Sequence, residues 1–341
     1  MKTINVAVVG LGFMGVTHIK AWLKVPGARV AAICDAVRLP VNGDFSTITG
    51  NLGTNDPLKL DMTLTRATKN LEEVLVDPAI DVVDLCVPTM AHPKLAVMAL
   101  KAGKHVICEK PLARTSALAR EIAEAAKSAK GFSMTAQCIR FWPEWLWVKQ
   151  AIDSGTYGRV LAARVRRVSE PPGWSKEFLD GARSGGALLD LHIHDTDFVQ
   201  YCFGRPAAVC STGFSALSGA VDYVSTIYQF PSGVSVTAEG TWAMNQGHGF
   251  NMAYTFIFEH ATVDYDCSRG VEALRMFQNN QTKRVITTNG TDGYVGELSY
   301  FAECIRTGKR PTNATIQDGL SAVEICEAEE QSIKTGKIVT L

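Results

Sequence analysis

Three glycines at a fixed spacing are the clearest chemical feature of the sequence. Gly10, Gly12 and Gly15 form a G-x-G-x-x-G pattern between an apolar, β-branched run and a helical pattern. The first glycine permits a tight turn, the second lets the backbone approach a pyrophosphate, and the third allows close helix packing. The pyrophosphate is expected at the positive helix N-terminus, near the amides of Phe13 and Met14.

Asp35 strengthens this interpretation because it stands twenty positions after Gly15, at the end of the next apolar run. A carboxylate at that place accepts hydrogen bonds from the adenosine ribose hydroxyls and repels a 2′-phosphate. Arg38 is close enough in sequence to accept such a phosphate. The pattern predicts NAD(H) as the cofactor, with NADP(H) less favoured. The alternative is that Asp35 is a solvated carboxylate at a strand end.

Two later segments carry groups that can move protons. Glu109, Lys110 and Pro111 end an apolar run, and ligands of parallel sheets bind at the carboxyl ends of the strands. Asp190 and His194 are four residues apart, so they share a face if the segment is a helix. Both segments are therefore candidates for acid–base chemistry.

A metal centre is the competing explanation for the second segment, because His192 lies between Asp190 and His194. On a helix, however, the His192 side chain points to a different face from the other two. We therefore expect no catalytic metal, and we interpret His192 as structural or peripheral to the site.

The elements that must position these residues predict two domains. In the first part of the chain, apolar strands alternate with helices, which is typical of a parallel sheet covered on both faces. The strands are expected at residues 4–9, 30–34, 82–87 and 105–108, and the helices at 13–23, 93–101 and 115–127. Residues 38–69 break this rhythm, and we expect an extended loop with one short helix. Residues 1–137 are predicted to form a Rossmann domain that binds the dinucleotide.

The pattern changes after about residue 155. Residues 234–242 alternate between apolar and polar side chains, which indicates an antiparallel sheet with one polar face. Further strands are expected at residues 160–168, 221–230, 255–258, 262–265 and 284–287, and closing helices at 294–307 and 316–335. Residues 138–341 are predicted to form an α+β domain on an open, mostly antiparallel sheet, with the final helix packed back on the first domain.

Composition disfavours several classes of protein. The 341 residues include 34 Lys and Arg against 34 Asp and Glu, a balance that does not favour nucleic acid or an anionic membrane as a partner. The nine cysteines contain no CxxC pair and mostly lie in apolar runs, which indicates reduced thiols and a cytoplasmic location. The Met-Lys start leads directly into a strand, so no signal peptide is expected.

Taken in order, the motifs resemble the Gfo/Idh/MocA family, which includes glucose–fructose oxidoreductase and inositol dehydrogenase. The resemblance covers nearly the whole chain. It rests on the glycine loop, Pro88-Thr89-Met90-Ala91-His92, Glu109-Lys110-Pro111 and the segment from Gly185-Gly186 through Asp190 to His194. Several distinctive motifs in the right order are far more specific than any one alone. The resemblance also implies a homodimer or homotetramer.

The resemblance implies a catalytic set of Lys110, Asp190 and His194. A histidine titrates nearest neutrality, so His194 is the natural base for a hydroxyl proton. Lys110 can hydrogen-bond the same oxygen and stabilise its developing charge. Asp190 can bind a second substrate hydroxyl or orient the lysine.

Further contacts are implied by the same resemblance. The expected cofactor contacts are Pro88, His92, Glu109 and Gln137. The expected substrate contacts are Arg140, Trp174 and Arg183. Arg140 holding a loop, and Trp174 simply packing, are the alternatives. A cis Lys110–Pro111 bond, common in this motif, would fix the direction of the lysine.

The sequence therefore predicts an NAD(H)-dependent dehydrogenase that moves a hydride between nicotinamide and a hydroxyl-bearing carbon of a sugar or cyclitol. Two other readings stay open. One is a sensor that keeps the dinucleotide site without catalysis, although such a protein has no need of the proton-transfer residues. The other is a glycoside-cleaving enzyme that keeps its NAD tightly bound.

Overall fold

The structure is a computed structural model that describes residues 3–40, 42–48, 57–173 and 176–341. The chain divides into two units: Met1–Cys138 with Asp292–Leu320, and Ile139–Thr291 with Ser321–Leu341. Among the helices of the described residues, none is both long enough and apolar enough to cross a bilayer.

Six strands in the described residues of the first unit form one parallel sheet. They are β1 (Ile4–Val9), β2 (Ala28–Cys34), β3 (Arg66–Thr68), β4 (Val82–Leu85), β5 (His105–Glu109) and β6 (Ser133–Ala136). Their order is β3-β2-β1-β4-β5-β6, and every neighbouring pair is parallel. This order reverses between β1 and β4, where open α/β sheets bind their ligands. The predicted Rossmann architecture is confirmed.

Helices connect these strands and cover the sheet. They are Phe13–Trp22, Leu71–Val76, His92–Lys101 and Ser116–Ser128. The last of them begins after Thr115, whose hydroxyl accepts a hydrogen bond from the Leu118 amide. Its apolar face contributes Ala119 and Ile122 to the buried core. All four residues of β4 are buried, as expected for a parallel strand covered on both faces.

The predicted loop of residues 38–69 differs from the structure. Where it is described, the segment contains no helix, and its end forms β3 beside β2. An isolated bridge joins Asp44 to Lys59. Residues 41 and 49–56 lie outside the described residues. A strand of three residues is too short to show a periodic signal, so the sequence did not reveal it.

The boundary of the second domain also differs from the prediction, because residues 292–320 group with the first unit. The helix Gly293–Thr307 buries Leu298 and Phe301 there. The helix Ile316–Thr335 begins in this unit, where Ile316 and Leu320 join the same core as the parallel sheet. Packing of the final helix on the first domain was expected, but for residues 293–307 the amphipathic pattern did not say which core covers the apolar face.

Nine strands in the described residues of the second unit form a mixed sheet. They are β7 (Val160–Ser169), β8 (Ala208–Phe214), β9 (Tyr223–Gln229), β10 (Ser235–Thr241), β11 (Phe250–Phe258), β12 (Thr262–Asp266), β13 (Leu274–Phe277), β14 (Arg284–Val285) and β15 (Val339–Thr340). Their order is β14-β13-β12-β11-β7-β10-β9-β8-β15. The pair β7 and β10 is parallel and the other pairs are antiparallel. The predicted open, mostly antiparallel sheet is confirmed.

Helices and aromatic side chains build the core of the second unit. The helices are Pro143–Ser154, Gly181–Ser184, a π-helix at Leu188–His192 and Ile193–Phe203. Trp145 is fully buried and meets the Phe198 ring edge-on, with ring centroids 4.7 Å apart. Val236 and Ala238 of β10 are buried while Ser235 is exposed, which follows the predicted alternation.

Candidate active site

The glycine loop follows β1, and two of its glycines are required by close packing. Gly10 has a φ of 90°, and a Cβ there would overlap the Cys86 carbonyl group. A Cβ on Gly15 would overlap the carbonyl oxygen of Gly10. Gly12 differs, because a Cβ there would meet nothing within 4 Å. The loop therefore leaves open space at Gly12, where a bound phosphate would approach the backbone.

The helix after the loop begins at Phe13 with Gly12 as its N-cap, and no side chain caps it. A helix N-terminus without a capping side chain keeps its positive end available to an anion. Phe13 and Met14 occupy the first turn and are half-buried. The sequence placed the pyrophosphate at this turn.

The carboxylate of Asp35 contacts three backbone amides at the end of β2. Its Oδ2 accepts a hydrogen bond from the Leu11 amide at 2.8 Å. Its Oδ1 accepts hydrogen bonds from the Val37 and Arg38 amides, each at 2.8 Å. Asp35 therefore fastens the glycine loop to the next turn. The sequence suggested a ribose contact for Asp35 but did not reveal this second role.

Gln137 supplies a further observation that fits a bound cofactor. The side chain is buried, yet neither its amide nitrogen nor its amide oxygen has a hydrogen-bond partner within the described residues. A buried amide without hydrogen-bond partners destabilises the folded protein, so a ligand that forms hydrogen bonds with it would bind more tightly. Together with the open space at Gly12, this amide fits the dinucleotide that the glycine pattern predicts.

Pro88 and His92 follow β4, at the same edge of the sheet as the glycine loop. Pro88 is exposed and precedes a short 3₁₀ helix, Thr89–Ala91. His92 is buried, and its Nδ1 and Nε2 lie 2.9 Å from the carbonyl oxygens of Pro111 and Val87, respectively. Burial lowers the pKa of His92. His92 therefore ties the segment after β4 to the segment after β5.

Glu109 and Lys110 stand at the carboxyl end of β5. Glu109 is buried, and its Oε2 accepts a hydrogen bond from the Lys110 amide at 2.9 Å. The following Lys110–Pro111 peptide bond is cis, and the Lys110 side chain is half-buried. Glu109 and His92 thus hold the backbone on the two sides of the lysine.

A buried polar cluster behind Glu109 was not foreseen from the sequence. His18 Nε2 lies 2.9 Å from Glu109 Oε1, and His18 Nδ1 lies 2.9 Å from Asp84 Oδ2. Trp22 Nε1 donates to Asp84 Oδ2 at 2.7 Å. All of these side chains are buried. The available signal was Asp84 itself, an acidic residue inside the apolar strand β4, because a buried charge needs a partner.

Two groups of this cluster have displaced pKa values. Burial lowers the pKa of His18, but the neighbouring Asp84 and Cys86 side chains together outweigh burial and hold this pKa well above its usual value. Burial raises the pKa of Glu297 well above its usual value, against the attraction of His18, whose Nε2 lies 3.9 Å away. Both shifts favour the protonated form of the group.

The described residues offer one group with the composition of a metal site. Ligand atoms of His18, Asp84 and Cys86 lie within 4.8 Å of one another. All three side chains are buried, and they already contact each other, since Cys86 Sγ lies 3.5 Å from Asp84 Oδ1. This group differs from Asp190, His192 and His194, the residues that the sequence suggested as a possible metal site.

In the second unit, Asp190 and His194 lie on either side of a change in helix type. Asp190 is in the π-helix and His194 in the α-helix that follows, a departure from regular helix that is frequent at functional sites. Both side chains are half-buried, whereas His192 is fully buried. His192 Nε2 lies 3.3 Å from Glu329 Oε1 and from the Tyr228 hydroxyl. His192 is thus a structural residue of this unit.

The three expected substrate contacts have different surroundings. Arg140 is buried, and its Nε and Nη2 donate to the carboxylate of Asp197 at 2.8 and 2.7 Å. This bidentate pair supports the alternative in which Arg140 holds a loop. Arg183 is exposed on the short helix Gly181–Ser184. Trp174 lies outside the described residues.

The glycine loop, Asp35 and the parallel sheet define an NAD-binding Rossmann unit, and comparisons with known proteins agree. Residues 4–136 match the oxidoreductase family with an NAD-binding Rossmann fold, and residues 145–264 match the GFO/IDH/MocA C-terminal domain. The chain belongs to the GFO/IDH/MocA family of NAD-binding oxidoreductases.

Named relatives span most of the chain. It is 34% identical to 1,5-anhydro-D-fructose reductase of Ensifer adhaerens, over 80% of this chain and 83% of that protein. It is 27% identical to scyllo-inositol 2-dehydrogenase (NAD(+)) of Bacillus subtilis (strain 168), over 99% and 96%. The structure of levoglucosan dehydrogenase with NADH and levoglucosan has a TM-score of 0.84 at 21% identity, over 99% of both chains, which shows a shared fold.

Proposed function

We propose that this protein is an NAD(H)-dependent dehydrogenase that oxidises a hydroxyl-bearing carbon of a sugar, a cyclitol or a related polyol. One observation carries the proposal. The glycine loop follows β1 and Lys110 follows β5, and both strands are parallel neighbours of β4. The dinucleotide loop and a candidate catalytic lysine therefore share one edge of one sheet, the edge where such sheets bind ligands.

The proposed cofactor contacts follow the geometry of the first unit. The glycine loop and the first turn after it would hold the pyrophosphate, and Asp35 the adenosine ribose. The remaining proposed contacts are Pro88, His92, Glu109 and Gln137. When bound, NAD supplies the hydride acceptor, while the protein positions the reacting groups.

Three side chains are proposed to act on the substrate. His194 takes the proton from the substrate hydroxyl as the carbon loses its hydride, so the product is a carbonyl compound. The Lys110 ammonium donates a hydrogen bond to the same oxygen and stabilises its developing negative charge. Asp190 binds a second hydroxyl or orients the lysine. In the reverse direction, His194 returns the proton and Lys110 polarises the carbonyl.

The substrate class is supported by the relatives. Their names refer to inositols, levoglucosan and 1,5-anhydro-D-fructose, all of which carry several hydroxyl groups. Arg183 and Trp174 stay as proposed substrate contacts on the basis of family resemblance. Arg140 is proposed as a structural residue instead, since Asp197 neutralises its guanidinium.

A homodimer or homotetramer, in the cytoplasm, is part of the proposal. Ile227 of β9 and Ile257 of β11 are exposed on the sheet of the second unit. Exposed apolar side chains of this kind would suit contact with another copy of the protein. Nine free cysteines suit a reducing compartment. Light scattering of the purified protein would decide the oligomeric state, and a monomer would remove this part of the proposal.

The experiment that tests the function is a panel of sugars, cyclitols and polyols with added NAD, followed by NADH absorbance. Substrate-dependent formation of NADH, with a carbonyl product found by mass spectrometry, is the expected result. Tight NADH binding without turnover of any compound would favour the sensor. NAD that co-purifies with the protein, together with cleavage of glycosides and no net NADH, would favour the glycoside-cleaving enzyme.

A further inference from the structure

Two hydrogen bonds, both made by the Glu109 carboxylate, connect His18 to the Lys110 backbone. Its Nε2 contacts Glu109 Oε1 at 2.9 Å, and the other oxygen of Glu109 accepts from the Lys110 amide at 2.9 Å. A carboxylate held at one oxygen has its second oxygen aimed in a fixed direction. The orientation of His18 is therefore transmitted to the backbone of Lys110.

Asp84 fixes the ring of His18 from the other side. Its two oxygens lie 3.1 and 2.9 Å from His18 Nδ1, and Trp22 Nε1 donates to the second of them. Among the described residues, the other titratable groups near the ring include Cys86, which follows β4, and Glu297 and Tyr294 on the helix Gly293–Thr307. Both ring nitrogens thus face carboxylates, an arrangement that only an imidazolium satisfies with two donors.

We infer that His18 and Asp84 are positioning residues for Lys110, acting through Glu109. They hold the Glu109 carboxylate so that its second oxygen fixes the Lys110 amide, and with it the start of the lysine side chain. The inference rests on the proposed catalytic role of Lys110. Displacement of a reacting group by about 1 Å can cost about 100-fold in rate, so such support matters for turnover.

A purely structural role is the competing explanation, because any buried ion pair affects stability when one partner is removed. Two substitutions of His18 separate the explanations. In His18→Gln the amide nitrogen replaces Nε2 and can still donate to Glu109. In His18→Asn the shorter amide replaces Nδ1 and can still donate to Asp84. Both variants are neutral, and each keeps one of the two hydrogen bonds.

The first readout is hydrogen exchange of the Lys110 amide, which does not depend on any activity. Exchange is expected to quicken by about 10-fold or more in His18→Asn and to stay within about 3-fold of wild type in His18→Gln. The second readout is steady-state kinetics. His18→Asn is expected to lower kcat by about 10- to 100-fold, while His18→Gln keeps kcat within about 3-fold.

Equal exchange in the two variants, or a larger effect in His18→Gln, would overturn the inference. If the wild type turns over no compound, the proposed function fails, and the exchange comparison still decides whether His18 positions the Lys110 backbone. If a His18 variant does not fold, Asp84 replaces it in the test. In Asp84→Asn the new amide can donate a hydrogen bond to the Nδ1 of a neutral His18 ring, so exchange of the Lys110 amide should stay slow. In Asp84→Val no such hydrogen bond forms, so this exchange should quicken.

A metal bound by His18, Asp84 and Cys86 would also overturn the inference. Metal analysis of the purified protein is expected to find no stoichiometric zinc. Zinc whose removal by a chelator quickens exchange at Lys110 would show that the metal, and not the hydrogen-bonded ring, holds this segment.

Discussion

Asp35 Oδ2 accepts a hydrogen bond from the Leu11 amide at 2.8 Å, so the residue that is proposed to bind the ribose also holds the glycine loop. This double role shapes the first prediction. Asp35→Ser should reduce the preference for NADH over NADPH by about 10- to 100-fold, since a charge-assisted hydrogen bond contributes about 1.5–3 kcal/mol.

The ratio of the two affinities, measured by titration calorimetry, is the proper readout. A loosened glycine loop would weaken both cofactors alike and leave the ratio unchanged. Equal affinity of the wild type for NADH and NADPH would refute the assignment of Asp35 to cofactor choice.

Gly12 and Gly15 offer a matched pair of alanine substitutions. A methyl group on Gly12 meets nothing within 4 Å, whereas one on Gly15 overlaps the Gly10 carbonyl oxygen. Gly12→Ala should therefore keep the melting temperature and weaken NADH binding by about 10-fold or more. Gly15→Ala should lower the free energy of unfolding by about 1–3 kcal/mol. Thermal melts and NADH titrations decide, and tight NADH binding by Gly12→Ala would contradict the placement of the pyrophosphate.

Arg140 is expected to act on stability. Arg140→Met leaves Asp197 as a buried charge without this partner, so the free energy of unfolding should fall by about 3–5 kcal/mol. The double variant Arg140→Met with Asp197→Leu should recover most of that loss. Urea denaturation measures both, and Lys127→Met at an exposed ion pair is the control with an expected change below about 1 kcal/mol. A raised KM with unchanged stability would restore Arg140 as a substrate contact.

Glu297 predicts a pH dependence of stability. Its carboxylate oxygens are buried without hydrogen-bond partners in the described part of the chain, and burial raises its pKa well above 4.5. The folded protein therefore keeps a proton that the unfolded chain has released. This proton contributes its full share to the free energy of unfolding below the pKa that Glu297 has in the unfolded chain. As the pH rises from there toward the folded pKa, the contribution falls by about 1.4 kcal/mol per pH unit.

Glu297→Gln removes this titration. The free energy of unfolding of Glu297→Gln minus that of the wild type should thus grow as the pH rises above the ordinary pKa of a glutamate, by about 1.4 kcal/mol per pH unit until the folded pKa is reached. Denaturant titrations at several pH values provide the measurement. Glu303→Gln, exposed on the same helix, is the control. A difference that does not change with pH would mean that Glu297 is ionised in the folded protein.

Features with long or local signals could be predicted from the sequence. The strand Ile4–Val9 and the helix Ile316–Thr335 have the predicted limits, because an apolar run ending in glycine and a long helical period are strong patterns. The glycine loop was recognisable because its spacing, between an apolar run and a helical pattern, is a local signal.

What the sequence did not reveal depends on tertiary packing. The contact between His18 and Glu109 joins residues 91 positions apart, and no periodic pattern encodes such a pairing. The family resemblance placed Arg140 among the substrate contacts, and no local pattern points to its partner Asp197, which is 57 positions away. The π-helix at Leu188–His192 was also missed, because its sequence fits an ordinary helix.

The central claim is that Lys110 and His194 act at the reacting carbon. The most direct test measures turnover and NADH affinity in Lys110→Ala and His194→Ala, with Asp190→Asn as a charge-removing companion. Each alanine variant should lose about 100- to 10,000-fold in kcat, the usual contribution of a positioned acid–base group, with NADH affinity unchanged. Near-wild-type turnover in all three variants would contradict the account and leave these residues without a catalytic role.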